Sequence, residues 1–336
     1  MQLLVLSASA VGSVLGYPEC ADAMRAALIA RSNGEVYQPL RTVLKPDRAE
    51  GLMVLMPSFH AGQEAGYGLK AITVTPGNPA RGLDSHQGIM LLSSSATGEP
   101  LAVLNASALT EIRTAAVSAV ATEVLAAQDA DVLAIIGTGV QARAHLRAIA
   151  STRPLAEIRV VGRTLEKAAK FAAELGPEIA GSTEVIGCAS VRQAVEGASI
   201  IVTATNSAEP VLRRNWLTPG VHVNAVGACL PHTRELDTAT VADAALFGDS
   251  RDSVLAEAGD YVLAAAEGVI GPDHIQAELG DLLAGDGDSD SAKGRTAERE
   301  ITIFESLGLA IEDLAAAALA YQTARERGLG TWIDFG

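Results

Sequence analysis

Aromatic residues are scarce in this chain of 336 residues, at 4% of the total, and cysteine occurs only three times. The cysteines Cys20, Cys188 and Cys229 are odd in number and far apart, which fits neither a disulfide framework nor a zinc site. We therefore expect a protein of the reducing cytoplasm that holds no metal ion.

Long apolar runs and an excess of basic charge are also lacking. No stretch approaches the roughly 20 uninterrupted apolar residues of a membrane span, and the first residues lack the pattern of a secretory signal. Lysine and arginine number 25 against 40 acidic residues, for a formal net charge of −15. Such a surface repels polyanions, so we expect neither nucleic acid nor an anionic membrane as a partner.

What the chain does have is apolar content and length. At 49% hydrophobic residues and 336 residues, it exceeds what one core requires and predicts two domains. The first hundred residues read as a helix from Pro18 to Arg31 and short strands of a mixed or antiparallel sheet. Those strands are Val36–Leu44, Gly51–Met56, Gly66–Val74, Gly88–Leu92 and Pro100–Leu104.

A helical spacing of apolar residues follows from Ser107, which is predicted to cap that helix. Residues 131–303 then alternate short buried strands with helices, a pattern typical of parallel strands joined by crossovers. The predicted strands are Val132–Ile136, Ile158–Val161, Ser199–Thr203, Val221–Ala225 and Ala244–Phe247. A last helix is expected from Ile311 to about Arg325. The sequence therefore predicts an α/β protein.

The strongest local signal follows the strand Val132–Ile136. It reads Gly137-Thr138-Gly139-Val140-Gln141-Ala142 and leads into a helical segment, which is the context that a dinucleotide fingerprint requires. Gly137 permits the tight turn, Gly139 admits the pyrophosphate, and Ala142 keeps the helix close to the strand. A tight turn without a ligand is the alternative.

The next strand favours one cofactor over another. An NAD site calls for an acidic residue at its end, but the chain reads Val161-Gly162-Arg163-Thr164. Arg163 suits a 2′-phosphate, and the Thr164 hydroxyl adds a hydrogen bond, so we predict NADPH as the preferred cofactor, with NADH possible. A solvated loop charge is the alternative role for Arg163.

Three cations lie beside apolar positions of the first domain: Arg41, Lys70 and Arg113. If they converge, they suit a small carboxylate, with arginine providing bidentate geometry. From the residues alone, each of them equally fits a surface charge or an ion pair.

The segment Gly280–Arg295, whose residues 284–291 are all alanine, glycine, aspartate or serine, has too little apolar content to order itself. It predicts a surface loop, with a substrate lid or a cation site as alternatives.

Taken together, the motifs resemble the ornithine cyclodeaminase/μ-crystallin family over nearly the whole chain, and most of all its ketimine reductase branch. The matching stretches are Gln38–Val43, Val54–Pro57, Ser85–Gln87, Leu109–Thr110 with Arg113–Ala116, Ile136–Ala142, Gly162–Thr164, Asn224–Ala228, Arg234–Asp237 and Phe304–Asp313. So many matches in order are far more specific than any one of them.

The resemblance implies a homodimer with two domains in each chain. Residues 1–128 and 304–336 would form an α+β substrate-binding and dimerisation domain, and residues 129–303 a Rossmann domain that binds NAD(P).

The resemblance also implies roles for individual residues. Arg41, Lys70 and Arg113 match positions that bind the substrate carboxylate. Two positions depart from the ornithine-cyclising enzymes: Cys229 stands where they carry a catalytic aspartate, and Val54 where they carry an acid.

Five further assignments complete the set of candidate site residues. We predict Lys70 as the general acid, because neighbouring arginines favour release of its proton. Cys229 is a second catalytic candidate or shapes the pocket. Thr205, Val226 and Gly227 complete the predicted cofactor-binding set.

The expected reaction is NADPH-dependent reduction of a small cyclic ketimine carboxylate, Δ1-pyrroline-2-carboxylate or Δ1-piperideine-2-carboxylate, to the cyclic amino acid. The alternatives are an ornithine cyclodeaminase, an enzyme like alanine dehydrogenase, and a non-catalytic binding protein like a crystallin. The partners are then a small anionic imine or amino acid and a second copy of the chain.

Overall fold

The computed structural model describes residues 1–179, 181, 183–285 and 294–336. The chain divides into two compact units: unit 1 is Met1–Arg113 with Gly308–Gly336, and unit 2 is Thr114–Leu307. The first division lies inside a helix, whereas the sequence predicts a domain boundary after residue 128. The first residues of the predicted loop Gly280–Arg295 instead belong to a helix that ends at Ala284, while residues 286–293 lie outside the described residues, and so do the predicted roles of the loop.

Unit 1 combines a mixed sheet with helices. Its elements are β1 (Gln2–Leu6), α1 (Ala8–Val14), α2 (Tyr17–Ser32), β2 (Val36–Tyr37), β3 (Thr42–Leu44), β4 (Leu52–His60), β5 (Tyr67–Val74), β6 (His86–Ser93), β7 (Pro100–Asn105), the start of α3 (Ala106–Leu125), and, after unit 2, α11 (Ala310–Arg327) and β16 (Thr331–Asp334). The strand order is β16-β1-β7-β6-β5-β4-β2, and β3 also pairs with β4. Helix α11 packs against β4, β5, β6 and α2.

Two local features of unit 1 differ from the expectation. The predicted strand Val36–Leu44 is two strands, β2 and β3, each antiparallel to β4, because Pro39 between them has no amide hydrogen to continue a ladder. Helix α3 begins at Ala106, and its capping contact comes from Asn105 rather than Ser107, with Ala108 N donating to Asn105 Oδ1 at 2.9 Å. Both residue types are good caps, so sequence alone does not separate them.

Unit 2 is built on a parallel sheet. It contains the remainder of α3, then β8 (Val132–Ile136), α4 (Val140–Thr152), β9 (Glu157–Val161), α5 (Leu165–Leu175), β10 (Glu184–Cys188), α6 (Val191–Val195), β11 (Ile200–Thr203), β12 (His222–Ala225), α7 (Thr238–Ala242), β13 (Ala245–Gly248), α8 (Arg251–Glu257), α9 (Gly259–Ala266), β14 (Ile275–Glu278), α10 (Leu279–Ala284) and β15 (Thr302–Glu305). Every pairing in the order β10-β9-β8-β11-β12-β15-β13-β14 is parallel.

This strand order identifies the edge where a ligand binds. From β8 the chain first adds β9 and β10 on one side and then β11 and β12 on the other, so the order reverses between β8 and β11. Doubly wound sheets bind ligands at the carboxyl ends of the strands at such a reversal. The prediction of an α/β fold with a Rossmann domain is confirmed. Among the described helices, none is long and apolar enough to cross a membrane, and a cytoplasmic location stays a prediction.

Candidate active site

The fingerprint turn of unit 2 follows β8 and leads into α4. Gly137 has φ +131°, and a Cβ there would collide with the carbonyl oxygen of Ala204, which follows β11. Ala142 is fully buried, as close packing of helix on strand requires. Both small residues are therefore needed where the fingerprint predicts them.

The amino terminus of α4 is open in the way a phosphate requires. Its N-cap is Gly139, which supplies no side-chain acceptor for the first amides, and a Cβ there would meet nothing within 4 Å. Val140 is exposed, and Gln141 Oε1 is buried without a hydrogen-bond partner. Free amides at a helix start, with space in front of them, fit a pyrophosphate.

The second predicted cofactor contact lies at the end of β9. A Cβ on Gly162 would approach Thr138 Cγ2 to 2.8 Å, so this turn lies directly against the fingerprint turn. Arg163 and Thr164 follow with exposed side chains. Thr164 Oγ1 also caps α5, accepting a hydrogen bond from Lys167 N at 3.3 Å. The turn thus presents a cation and a hydroxyl, and no acid, beside the glycine-rich turn.

The remaining predicted cofactor residues follow β11 and β12, two neighbouring strands. Thr205 comes after β11, and Val226 and Gly227 come after β12, with Val226 N donating to Thr203 O at 3.0 Å. Cys229 is partly buried in the same loop, its sulfur 3.9 Å from Gly227 O. The structure therefore places the whole predicted cofactor set, and Cys229, at the carboxyl edge of the unit 2 sheet.

In unit 1, the three predicted cations converge on the start of α11. Lys70 on β5 is 2% exposed, and its Nζ lies 2.7 Å from Asp313 Oδ2. Arg113 on α3 is 4% exposed and binds two carboxylates, with Nε 2.9 Å from Asp313 Oδ1 and Nη1 2.7 Å from Glu312 Oε2. Asp313 thus bridges Lys70 and Arg113.

Arg41 joins this cluster through the turn before α11. Its Nη2 donates to Gly308 O at 3.1 Å. Gly308 has φ +79°, and a Cβ there would lie 2.7 Å from Arg113 Nη2. Only glycine fits at this position, because the conformation is left-handed and the Arg113 guanidinium fills the space that a side chain would occupy.

The cluster of Arg41, Lys70, Arg113, Glu312 and Asp313 formally carries one more positive than negative charge. Burial lowers the pKa of Lys70 to about 8, with Arg113 and Arg41 acting in the same direction and Asp313 opposing them. Burial also raises the pKa of Glu312, against the attraction of Arg113. Such a cluster suits one small carboxylate, and its lysine can release a proton near neutral pH.

Sequence reasoning missed the two acids of this cluster. Glu312 and Asp313 lie in the first turn of an alanine-rich helix, where acids commonly serve the helix dipole. Their partner Arg113 is about 200 residues away in the chain. Both acids lie in the stretch Phe304–Asp313 that carries the family resemblance, a signal that could have found them, and on α11 both are fully buried.

The model of the ornithine cyclodeaminase/mu-crystallin family matches residues 1–328. The chain belongs to this family.

Two curated members of the family show how similar the chain is to reductases. The ketimine reductase mu-crystallin of Mus musculus is 40% identical over 291 residues, which is 87% of this chain and 86% of that protein. A Delta(1)-pyrroline-2-carboxylate reductase of Bacillus cereus is 38% identical over 334 residues, 99% of this chain and 100% of that protein.

Two solved structures are also similar to this chain in both fold and sequence. The Thermococcus litoralis Delta(1)-pyrroline-2-carboxylate reductase, in complex with NADH and L-proline, superposes with a TM-score of 0.92 at 38% identity, covering 98% of this chain and 99% of that one. An archaeal alanine dehydrogenase dimer with bound NAD gives a TM-score of 0.90 at 31% identity, with full coverage of both chains. The predicted enzyme class, an oxidoreductase of the family that acts on C=N or CH–NH bonds with a nicotinamide cofactor, is confirmed.

Proposed function

We propose that this chain reduces a small cyclic ketimine carboxylate, Δ1-pyrroline-2-carboxylate or Δ1-piperideine-2-carboxylate, to the cyclic amino acid and prefers NADPH. The observation that carries the proposal is the buried bridge of Asp313 between Lys70 and Arg113, in a cluster with one surplus positive charge. That surplus matches the single carboxylate of either substrate.

Binding of the substrate carboxylate is the first step assigned to this cluster. Arg41 and Arg113 provide planar donors for the two carboxylate oxygens. Arg113 is held on two sides by Glu312 and Asp313. Because its geometry is set before the substrate arrives, little conformational entropy is lost on binding.

Protonation of the imine nitrogen is the second step. Lys70 is the donor, since burial lowers the pKa of Lys70 to about 8 and eases loss of its proton. Reduced nicotinamide, when bound by unit 2, supplies the hydride. The C=N π bond breaks as hydride adds to carbon and the proton joins nitrogen, giving the secondary amine.

Two substitutions relative to the ornithine-cyclising enzymes favour a ring without a second amine. Val54, where those enzymes carry an acid, is buried on β4 with Met56 and Ala310, and Met56 pairs directly with Lys70 on β5. The side chain of ornithine carries a second ammonium group, and neither Val54 nor Cys229 supplies an anion for it. We therefore favour the reductase over a cyclodeaminase.

The preference for NADPH rests on Arg163 and Thr164. They occupy the end of β9, where an NAD site carries an acid for the ribose hydroxyl, and Arg163 has the charge and shape for a 2′-phosphate.

The outer face of the unit 1 sheet supports a homodimer. Residues of β4 that point away from α11 alternate with the buried ones, and they are apolar as well: Met53, Leu55, Pro57 and Phe59. The face continues over β5 and β6 through Tyr67, Leu69, Ile89 and Leu91, which the strand register places side by side. It contains a groove of about 380 Å³. When a sheet is apolar on both faces, each face must be shielded from water by other parts of the protein. We propose that a second copy of the chain shields the outer face.

The direct test is turnover of the purified chain. With pyrroline-2-carboxylate or piperideine-2-carboxylate it should oxidise NADPH faster than NADH and form proline or pipecolate. Release of proline from ornithine without turnover of either imine would instead show a cyclodeaminase, and activity confined to pyruvate with ammonia would show an alanine dehydrogenase.

A further inference from the structure

One buried carboxylate in unit 2 joins the two loops that follow β11 and β12. Glu235 Oε1 accepts a hydrogen bond from Thr205 N at 2.6 Å, and Glu235 Oε2 accepts one from Gly227 N at 2.7 Å. Thr205 and Gly227 belong to different loops, at the carboxyl ends of adjacent parallel strands. The side chain of Glu235 therefore sets the distance between these two loops.

The packing around this carboxylate leaves no room for adjustment. Glu235 is fully buried. A Cβ added to Gly227 would lie 2.7 Å from Glu235 Oε2 and would also collide with the carbonyl oxygen of Thr205. The close approach of the two loops thus requires both the glycine and the carboxylate.

Asp260 on α9 holds Glu235 in place from the other side. Asp260 Oδ1 accepts hydrogen bonds from the backbone amides of Glu235 and Leu236, both at 2.8 Å. Asp260 Oδ2 is buried without a hydrogen-bond partner. Oδ2 of Asp260 can therefore take up a proton without loss of the two hydrogen bonds that Oδ1 accepts, whereas each oxygen of Glu235 already accepts a hydrogen bond from an amide.

The pKa values of the buried acids around Glu235 favour a negative charge on Glu235 and not on Asp260. Burial raises the pKa of Asp260 to about 7, helped by the charge of Glu235. Burial raises the pKa of Glu235 too, but the side chains of Thr205 and Thr203, and after them the amides of Thr205 and Gly227, act against that rise through hydrogen bonds. Glu305 is a further buried acid nearby: burial raises its pKa well above the usual range, and the charges of Asp260, Glu235 and Asp249 add to the rise. The negative charge is best accommodated on Glu235, which has two donors.

We propose that Glu235 is a positioning residue for the nicotinamide cofactor: it holds the loops after β11 and β12 at the spacing that the cofactor requires. Dinucleotides bind at this edge of the sheet, where the strand order reverses beside β11. The proposal depends on cofactor binding alone and holds whichever imine is the substrate.

Asp237 provides a matched control within the same stretch of chain. Its Oδ1 also accepts hydrogen bonds from two backbone amides, those of Thr240 at 2.9 Å and Arg214 at 3.2 Å, and Asp237 is the N-cap of α7. These amides lie outside the predicted cofactor loops. Asp237→Asn therefore tests the loss of a structural carboxylate without a change at the cofactor site.

The experiment is a fluorescence titration of NADPH into the purified chain without substrate, together with thermal melting. In Glu235→Gln an NH2 group faces one of the two amides, so the Kd for NADPH should rise about tenfold or more, the cost of one charge-assisted hydrogen bond. In Glu235→Asp the shorter side chain reaches only one loop, so the Kd should also rise. Asp237→Asn should melt at a lower temperature and bind NADPH with the Kd of the parent chain.

A second readout separates positioning from general destabilisation. At saturating NADPH, Glu235→Gln should keep the imine KM within about twofold of the parent value, because the carboxylate site in unit 1 is untouched. The proposal is overturned if the folded Glu235 variant, Gln or Asp, binds NADPH as tightly as the parent, or if Asp237→Asn weakens NADPH binding equally. Failure of both imines as substrates would leave the binding result intact and count against the proposed function only.

Discussion

Lys70 Nζ lies 2.7 Å from Asp313 Oδ2, and both side chains are almost completely buried. The pairing is unequal, because Asp313 also binds Arg113. The single negative charge of Asp313 is therefore shared between two cations, Lys70 and Arg113. Burial lowers the pKa of Lys70 to about 8 although Asp313 opposes the shift, which makes the pair the most sensitive point of the proposed chemistry.

The first prediction concerns the pH dependence of catalysis. Lys70 donates only when protonated, so kcat/KM should fall as the pH rises through about 8. Asp313→Asn removes a charge that raises the pKa of Lys70, so the falling limb should move to lower pH, and kcat/KM at neutral pH should drop about a hundredfold as the two cations lose their common anchor. Asp47→Asn, at an exposed position, is the control. An unmoved limb in Asp313→Asn would exclude Lys70 as the proton donor.

The second prediction separates the two arginines by stability. Arg113→Ala leaves Glu312 and Asp313 buried without this partner and should cost about 3–5 kcal/mol in urea unfolding. Arg41→Ala removes a partly exposed side chain and a bond to one carbonyl, so its cost should be about 1 kcal/mol. Both should raise the imine KM while the Kd for NADPH stays unchanged. Unchanged kinetics in either variant would remove that arginine from the site.

The third prediction compares two glycines with left-handed backbone. Gly328 caps α11 with φ +64° and open space at its Cβ position, so Gly328→Ala should cost about 1 kcal/mol of stability and leave KM alone. Gly308 has φ +79°, but Arg113 fills the space. Gly308→Ala should therefore displace the guanidinium and raise the imine KM as well. Equal kinetic behaviour of the two variants would contradict the role of the Gly308 turn.

The fourth prediction concerns cofactor choice. Arg163→Ala should raise the KM for NADPH about tenfold and leave that for NADH nearly unchanged, since only the 2′-phosphate loses a partner. Arg192→Ala, at an exposed position of α6 in the same unit, is the control and should change neither. Parallel losses for both cofactors in Arg163→Ala would show that the residue does not discriminate between them.

The fifth prediction concerns the dimer. Ile89 is 47% exposed on the outer sheet face. A glutamate there would bury a charge in the proposed interface, so Ile89→Glu should be a monomer, with half the parent mass by light scattering after gel filtration. Val269, 54% exposed in unit 2, is the matched apolar position, and Val269→Glu should remain dimeric. A parent chain that is itself monomeric would disprove the assignment of this face.

The features that sequence alone determined about this protein are local ones. The turn from Gly137 to Ala142 needs small residues for reasons confined to one strand, one turn and one helix, and the structure shows those reasons in the Cβ positions of Gly137 and Gly139. Ser7, a residue type that favours the N-cap position, caps α1, with Ala10 N donating to its hydroxyl at 3.3 Å. Most predicted strand ends lie within two residues of the observed ones, although β4 continues four residues past the predicted end at Met56. The strands β10, β14, β15 and β16 were missed, since each has only four or five residues and one of them is acidic, which interrupts the apolar pattern.

Only the tertiary structure decided which charges meet. Arg41, Lys70 and Arg113 were candidates from their residue types, but each fitted a surface charge equally well until β5, α3 and the start of α11 were seen to bring Lys70, Arg113 and Asp313 together. Glu235 became significant through amides that lie 30 and 8 residues away. A buried charge is stable only with a partner, and such partners come from distant parts of the chain, which local spacing does not encode.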